Sequence, residues 1–230
     1  IGKNCIVPEL LEYYEKVGLD IVTTQFIPMF PVDVTTQLTI AKDGDAQYGI
    51  GMMLQQGAIA VMQDLKKLGM DDFIMCMHGS SQIDETLTIA GFETCENALI
   101  ASYVPNFFLP EDPGTKFATA LQVGREGKMY FASHSYFMTI AECLVNIEAI
   151  RLALEKVPYE ELTSEKLVEY GFWEIKDWPC YDIPVAPLTY KKNKNIGMFT
   201  WGLYMVKGGK VLDLGRFDKD IFGLAEKYGY

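Results

Sequence analysis

The stretch that decides the fold is AQYGIGMMLQQGAIAVMQDLKKLGMDDFIMCM, residues 46–77. Residues 46–52 are a short apolar run that predicts a β-strand, and residues 72–77 predict a second one. Between them, apolar side chains recur at helical spacing over residues 54–68, and Gly69 is placed to end that helix. A strand, a helix and a strand in this order predict two parallel strands joined by a crossover helix.

The same alternation extends in both directions from this unit. Downstream, residues 84–90 predict a short helix and residues 98–103 another strand. Upstream, residues 7–17 have the apolar spacing of an amphipathic helix that Gly18 ends, and residues 19–26 predict a buried strand. The chain is therefore expected to be an α/β protein with a parallel sheet that helices cover on both faces. The first helix is not preceded by the strand that should feed it.

The second half of the chain has a different pattern. Residues 105–115 and 177–195 each contain three prolines and predict long connections without regular structure. Two such connections in one chain predict two lobes, with the backbone passing between them more than once. The other predicted elements are helices over 116–123, over 129–155 with a start near Ser133, and over 163–170 with Thr163 or Ser164 as N-cap, and a hairpin turning at Gly208 and Gly209.

Charge and hydropathy exclude two classes of partner. The net charge is −11, whereas nucleic-acid-binding proteins carry basic surfaces. The acidic residues are scattered, which favours a role in solubility over cation binding. No apolar stretch reaches the length of about 18 residues that spans a bilayer.

The cysteines and histidines do not form a metal or redox motif. None of the five cysteines is spaced as C-x-x-C, so no zinc or dithiol site is predicted. Cys76 and Cys143 lie in apolar runs and are expected to be buried. A disulfide between Cys76 and Cys95 is an open alternative. The two histidines, His78 and His134, are too few and too far apart to predict a metal site.

No catalytic signature is present in the sequence. Residues 78–82, HGSSQ, place His78 beside Ser80 and Ser81. Adjacent residues rarely form a catalytic pair, because such pairs are defined by geometry rather than by proximity in sequence. There is no nucleophile elbow, phosphate-binding loop or H-E-x-x-H motif. We therefore predict a protein that is not an enzyme and has no catalytic residue, cofactor or metal.

A ligand-binding site is predicted where the parallel strands end. Ligands of open α/β sheets bind at the carboxyl ends of the strands, and these ends here mix apolar with hydroxyl, amide, imidazole and phenol groups. The alternative is that these loops are polar only because they lie at the surface. Tyr130, His134 and Tyr136 either face the same cleft from the other lobe or pack at a lobe interface. The predicted ligand-binding residues are Met52, Gln55, His78, Gly79, Ser80, Ser81, Tyr103 and Tyr136.

Several stretches resemble type I periplasmic solute-binding proteins, the receptors of ABC importers for branched-chain amino acids, amides, urea and aromatic acids. Residues 1–22, IGKNCIVPELLEYYEKVGLDIV, are similar to the opening of the family's second lobe. Residues 133–153 and 201–214 are similar to a later helix and to the closing hairpin, and 161–173 to the helix between them. Matching positions in the stretch after residue 30 are Asp33, Gln37, Ala46, Gln63 and Gly69.

This resemblance implies a domain arrangement. Residues 1–106, with 198–230 returning to them, would form lobe 2, a Rossmann-like lobe with a parallel sheet. Residues 107–197 would be the C-terminal share of lobe 1, so the second lobe is partial and its upstream part is expected to be missing from this chain. We expect the apolar surface that this leaves to favour a homodimer or a poorly ordered second region.

The resemblance also implies a function. The chain would be the substrate-binding component of an ABC transporter, located in the periplasm or outside the cell. It would bind a small organic solute between two lobes that close about a hinge, for delivery to a membrane permease. The predicted strand-end loops contain no carboxylate before Asp84, which favours an aromatic acid, an amide or another solute less cationic than an α-amino acid. The alternative function is a ligand-sensing regulatory domain of the same fold.

Overall fold

The computed structural model describes residues 8–81, 83–128, 133–192, 197–198 and 200–218. Helices alternate with strands in the first half, whereas three helices follow one another before the last two strands. The helices are α1 (Pro8–Lys16), α2 (Thr35–Asp43), α3 (Gln55–Lys67), α4 (Ile83–Ala90), α5 (Pro113–Glu126), α6 (His134–Leu154) and α7 (Ser164–Tyr170). The strands are β1 (Tyr48–Gly51), β2 (Ile74–His78), β3 (Ala98–Ser102), β4 (Thr200–Lys207) and β5 (Lys210–Asp218).

The five strands form one sheet in the order β1-β2-β3-β4-β5. β1 pairs with β2 and β2 with β3, both in parallel, as the alternation of strands and helices over residues 46–103 predicts. The last two strands are joined at Gly208 and Gly209, which have φ values of 59° and 73°. Glycine adopts this left-handed conformation without steric cost, so the predicted hairpin is confirmed.

The described residues divide into two compact units. The first contains residues up to Ala101 together with Leu203–Leu214, and the second contains Ser102–Gly202 and the residues from Gly215 onwards. The chain therefore passes from one unit to the other after Ala101, Gly202 and Leu214, each time within a strand.

The core of the first unit lies between one face of α3 and the inner strands β2 and β3. Ala58, Met62 and Leu65 lie on one face of α3 at helical spacing and are buried, as are Met75 and Met77 of β2. The core of the second unit consists of two apolar clusters along α6. The buried members of the first cluster are Val145, Ala149, Ile175, Cys180 and Leu188. Those of the second cluster are Val104, Ala118, Phe137 and Ile183.

The predicted buried strand over residues 19–26 is wrong. These residues form neither helix nor strand, and most of their apolar side chains are exposed. A strand requires a hydrogen-bonded neighbour, and none of the described residues pairs with this segment. The helix before it is confirmed, with Gly18 at φ 82° beyond its end.

The helix predicted over 116–123 begins earlier, at Pro113. The Asp112 carboxylate accepts hydrogen bonds from the backbone N–H groups of Gly114 (2.9 Å) and Thr115 (3.2 Å). Proline is favoured in the first turn because its missing N–H would have no partner there. Thr163, rather than Ser164, caps α7.

The predicted burial of two cysteines is not confirmed, and Cys76 is only half-buried. Cys76 and Cys95 are both free thiols, so the disulfide left open by the sequence is absent. Cys143 is exposed, against the prediction, because it lies on the side of α6 opposite Val145 and Ala149. Burial raises the pKa of Cys95 to about 12, so this thiol stays protonated and unreactive at neutral pH.

Candidate ligand-binding site

The register of the sheet brings two of the predicted loops together. Gly51 pairs with Met77 on the neighbouring strand, so Met52 and His78 both lie where their parallel strands end. His78 in turn pairs with Ala101 of β3. The predicted residues of the first unit therefore lie together at the carboxyl ends of the strands. This is the end of the sheet at which α/β folds bind ligands, and it is called the binding edge below.

A hydrogen-bond chain fixes the shape of these loops. The Ser81 hydroxyl donates to the backbone oxygen of Met53 (3.0 Å), which ties the loop after β2 to the loop after β1. The Thr86 hydroxyl donates to the backbone oxygen of Ser81 (2.9 Å). Ser81 and Thr86 are fully buried. Ser81 therefore positions the loops, and its proton is already used within the protein.

The remaining predicted residues of this cluster differ in exposure. Met52 is exposed, and Gln55, the first residue of α3, is half-buried. Gly79 is buried and opens the short 3₁₀ turn Gly79–Ser81. Ser80 lies in the same turn, and its side chain is outside the described part of the structure. The edge thus presents a thioether, an amide and the imidazole of His78.

His78 is half-buried, and desolvation lowers the pKa of its imidazole from the usual 6.5. Burial disfavours the charged form, so the ring is neutral at neutral pH. A neutral imidazole both donates and accepts one hydrogen bond. It is therefore suited to a polar, uncharged group of a ligand.

We expect His78 to make stability depend on pH. In the unfolded chain the imidazole binds a proton near pH 6.5, whereas in the folded chain it does so only at lower pH. The unfolded state therefore gains protons first, and stability falls as the pH drops below about 6.5. The midpoint of urea-induced unfolding can be measured at about pH 7.5 and at about pH 5.5. The difference between these two midpoints should be smaller in His78→Gln than in the wild type. Equal differences would contradict this.

Next to these strand ends lie two buried carboxylates that were not predicted from the sequence as part of the site. Asp84 and Glu85 lie in the first turn of α4, directly after the loop that follows β2, and only 0% and 6% of their surfaces are exposed. The partial positive charge at a helix N-terminus favours acidic groups there. Among the described residues, no hydrogen-bond partner is present for Glu85 Oε2. The sequence signal was the pair of acidic residues opening a predicted helix.

Tyr103 and Tyr136 belong to the second unit, and both hydroxyls make contacts there. The Tyr103 hydroxyl lies 3.0 Å from the Met138 sulfur, and its ring makes edge contacts with the rings of His134 and Trp201, each at 5.6 Å between centroids. The Tyr136 hydroxyl donates to the backbone oxygen of Ala118 (3.4 Å), which ties α6 to α5. Burial raises the pKa of both phenols, so both are protonated at neutral pH. Their role in binding stays a prediction.

The second unit contains a cavity of about 280 Å³. Its walls are mainly apolar and include Val104, Met138 and Phe172, and Tyr103 also lines it. The exposed side chains of Glu142 and Asn146 border it on α6. Tyr130, predicted either to face the ligand cleft or to pack at a lobe interface, lies outside the described residues.

Comparisons with known proteins identify the fold. No protein-family model and no curated protein matches the sequence. A branched-chain amino acid ABC transporter protein from Thermus thermophilus, solved with bound valine, superposes with a TM-score of 0.81 at 18% identity, over 94% of this chain and 58% of that one. A leucine-binding protein from Thermotoga maritima gives 0.69 at 15% identity, over 92% and 55%. An ABC transporter substrate-binding protein from Aeropyrum pernix gives 0.72 at 14% identity, over 91% and 54%.

These likenesses define the class of fold. The chain is an α/β protein with the fold of the type I periplasmic solute-binding proteins, as the sequence resemblance predicts. It spans between 54% and 58% of the length of these solved structures.

None of the described helices combines the length and the hydropathy needed to cross a bilayer. In the same part of the chain, no group of three or more His, Cys, Asp or Glu side chains is placed to hold a metal ion.

Proposed function

We propose that the chain is the substrate-binding component of an ABC transporter and holds a small organic solute at the carboxyl ends of β1 and β2. The observation that supports this most directly is the cluster of Met52, Gln55 and His78 at that edge, on loops that Ser81 holds in place. The cluster belongs to a fold shared with several ABC transporter binding proteins. Preorganised loops with a few polar groups are the usual form of a small-molecule site.

Binding rather than catalysis fits the chemistry of the loop after β2. The Ser81 hydroxyl donates to the Met53 backbone oxygen, so its proton is already used in a structural hydrogen bond. A serine nucleophile would need its proton to be accepted by a neighbouring base. No bond is made or broken in the proposed function.

The solute is proposed to be an amide, an aromatic acid or another molecule less cationic than an α-amino acid. An ammonium group needs an accessible carboxylate, and Asp84 and Glu85 are covered by protein. His78 is neutral, and a neutral imidazole can donate a hydrogen bond to the oxygen of an amide or of an ionised aromatic acid. The competing candidate is an amino acid, because the Thermus thermophilus structure contains valine.

The domain assignment and the partners belong to the same proposal. The first unit would correspond to lobe 2 of the family and the second unit to the C-terminal share of lobe 1. The partner would be a membrane permease, and the protein would act in the periplasm or outside the cell. The comparisons give no support for the expected homodimer, which stays a prediction.

Calorimetric titration of the chain tests the proposal. Acetamide, benzoate and L-valine represent the three solute classes, and we expect saturable binding of one of the first two. Gln55→Ala and His78→Gln should each weaken binding at least about tenfold, the loss of roughly one good hydrogen bond. Gln63→Ala, an exposed glutamine further along α3, is the matched control and should bind normally.

The outcomes separate the alternatives. Tightest binding of L-valine would keep the receptor function and overturn the proposed solute class. Binding that is insensitive to both Gln55→Ala and His78→Gln would overturn the site. Failure of all three solutes to bind a chain that is folded by circular dichroism would overturn the proposed function of this chain.

A further inference from the structure

The cavity of the second unit is not used by the proposed function. Its described lining residues lie between Tyr103 and Met198, so it belongs to the second unit alone. Its volume of about 280 Å³ is close to the lower limit of about 300 Å³ for small-molecule sites. A ligand that fills it is therefore small, and the side chains around the cavity decide the chemistry of that ligand.

Three aromatic rings line the cavity. They belong to Tyr103, Phe172 and Tyr190, and all three residues are half-buried. The rings of Phe172 and Tyr190 meet at 72° with 5.8 Å between their centroids, so each limits the rotation of the other. The Tyr103 ring is held by its edge contacts with His134 and Trp201. The face of an aromatic ring attracts a cation within about 6 Å, because the ring quadrupole is negative there.

A carboxylate borders the cavity at Glu142 on α6. Among the described lining residues, Glu142 is the only charged one. The next two glutamates along the chain, Glu148 and Glu155, both form ion pairs with Arg151. In the described part of the chain, none of the ion pairs includes Glu142. The charge at the rim therefore disfavours an anionic ligand and favours a cationic one.

Two lysines that lie near these rings in the chain are engaged elsewhere. The Lys176 ammonium group donates to the backbone oxygens of Trp173 and Tyr190. The Lys192 ammonium group lies over the Trp173 ring, 5.6 Å from its centroid. Neither lysine lines the cavity, and no other described cation of the chain does so. The rings and the carboxylate are therefore available to a cation from outside.

We propose that this cavity binds a small alkylammonium ion, with its charged nitrogen against the three rings and near Glu142. The mainly apolar walls suit the alkyl groups of such an ion. Aromatic rings are the usual means of recognising quaternary ammonium groups, which have no N–H to donate. This proposal does not depend on the proposed function. The binding edge of the first unit has only covered carboxylates beside it, whereas Glu142 is exposed.

Calorimetric titration with choline and with 3,3-dimethylbutan-1-ol tests the proposal. The two molecules have the same shape, but the second has a neutral carbon in place of the charged nitrogen. We expect choline to bind about tenfold more tightly, because only choline is attracted by the ring faces and the carboxylate. Equal affinities, or no binding of choline to a chain that is folded by circular dichroism, would overturn the proposal.

Three variants locate the bound cation. Glu142→Gln removes the charge but keeps the shape, so it should weaken choline binding about threefold and leave binding of the alcohol unchanged. Phe172→Leu keeps an apolar side chain but removes one ring, and it should weaken choline binding by at least about threefold. Glu160→Gln is the control, since Glu160 is an exposed glutamate of the same unit that does not line the cavity. Choline affinity that is unchanged in Glu142→Gln and Phe172→Leu, or that falls as much in Glu160→Gln, would place the cation elsewhere and overturn the proposal.

Discussion

Replacing Gly171 by alanine is expected to destabilise the second unit by about 3 kcal/mol, the upper part of the usual cost of overpacking. Gly171 follows α7 and lies directly against α6. A Cβ there would collide with the backbone oxygens of Ala149 and Leu167 and would lie 2.9 Å from the Ala149 carbonyl carbon. These are backbone atoms of two helices, so neither can rotate away as a side chain would. The helices must separate, which opens the cluster around Ala149 and Ile175.

Tryptophan fluorescence during urea unfolding measures this effect selectively. The three tryptophans of the chain, Trp173, Trp178 and Trp201, all belong to the second unit. Gly124→Ala is the matched control, since a Cβ on Gly124 of α5 would meet no atom within 4 Å. Alanine is favoured over glycine within a helix, so this control should gain about 0.5–1 kcal/mol. Equal effects of the two substitutions would contradict the packing argument.

The parts of the fold that sequence predicts are those in which local signals agree. The strand–helix–strand unit of residues 46–77 has a helical apolar stripe between two β-rich runs, and the parallel pairing of β1 with β2 follows from it. The hairpin at Gly208 and Gly209 likewise depends on the turn itself. The geometry of such elements is determined by their own residue types, which agree with the fold as a whole.

The parts that sequence does not predict depend on neighbours. Residues 19–26 have the composition of a strand but lack a paired strand among the described residues, and no local pattern reveals that. The whole of α2 was not predicted from the sequence. Its N-cap residue, Val34, has no side-chain acceptor, and the Asp33 carboxylate accepts instead from the backbone N–H of Thr35, the first residue of the helix.

The candidate site shows the same limit. The sequence places Met52, Gln55 and His78 at one edge because strand ends of a parallel sheet share that edge. It does not show that Ser81 is fully buried and donates to Met53, because that contact joins two loops that are 28 residues apart. Burial of Glu85 is also a tertiary property, set by the elements around the first turn of α4.

Replacing Asp64 by alanine is expected to destabilise the first unit by about 3 kcal/mol, the cost of losing a charged hydrogen bond and leaving a buried donor unpaired. Asp64 lies on the buried side of α3, and its Oδ2 accepts a hydrogen bond from the backbone N–H of Val34 at 2.7 Å. Val34 is almost completely buried, so no water can replace the carboxylate. Asp64→Asn keeps an acceptor oxygen and should cost only about 1 kcal/mol, the difference between a hydrogen bond to a charged acceptor and one to a neutral acceptor.

The consequence extends to the segment that precedes Val34. The hydrogen bond to Asp64 anchors the end of the irregular stretch of residues 17–34 to α3. Far-UV circular dichroism in urea should give the stability change, and hydrogen exchange should show faster exchange in residues 19–27 of Asp64→Ala. Asp43→Ala removes the same charge from an exposed position on α2 and is the control. A loss in Asp43→Ala as large as that in Asp64→Ala would show that charge, rather than the buried hydrogen bond, stabilises this unit.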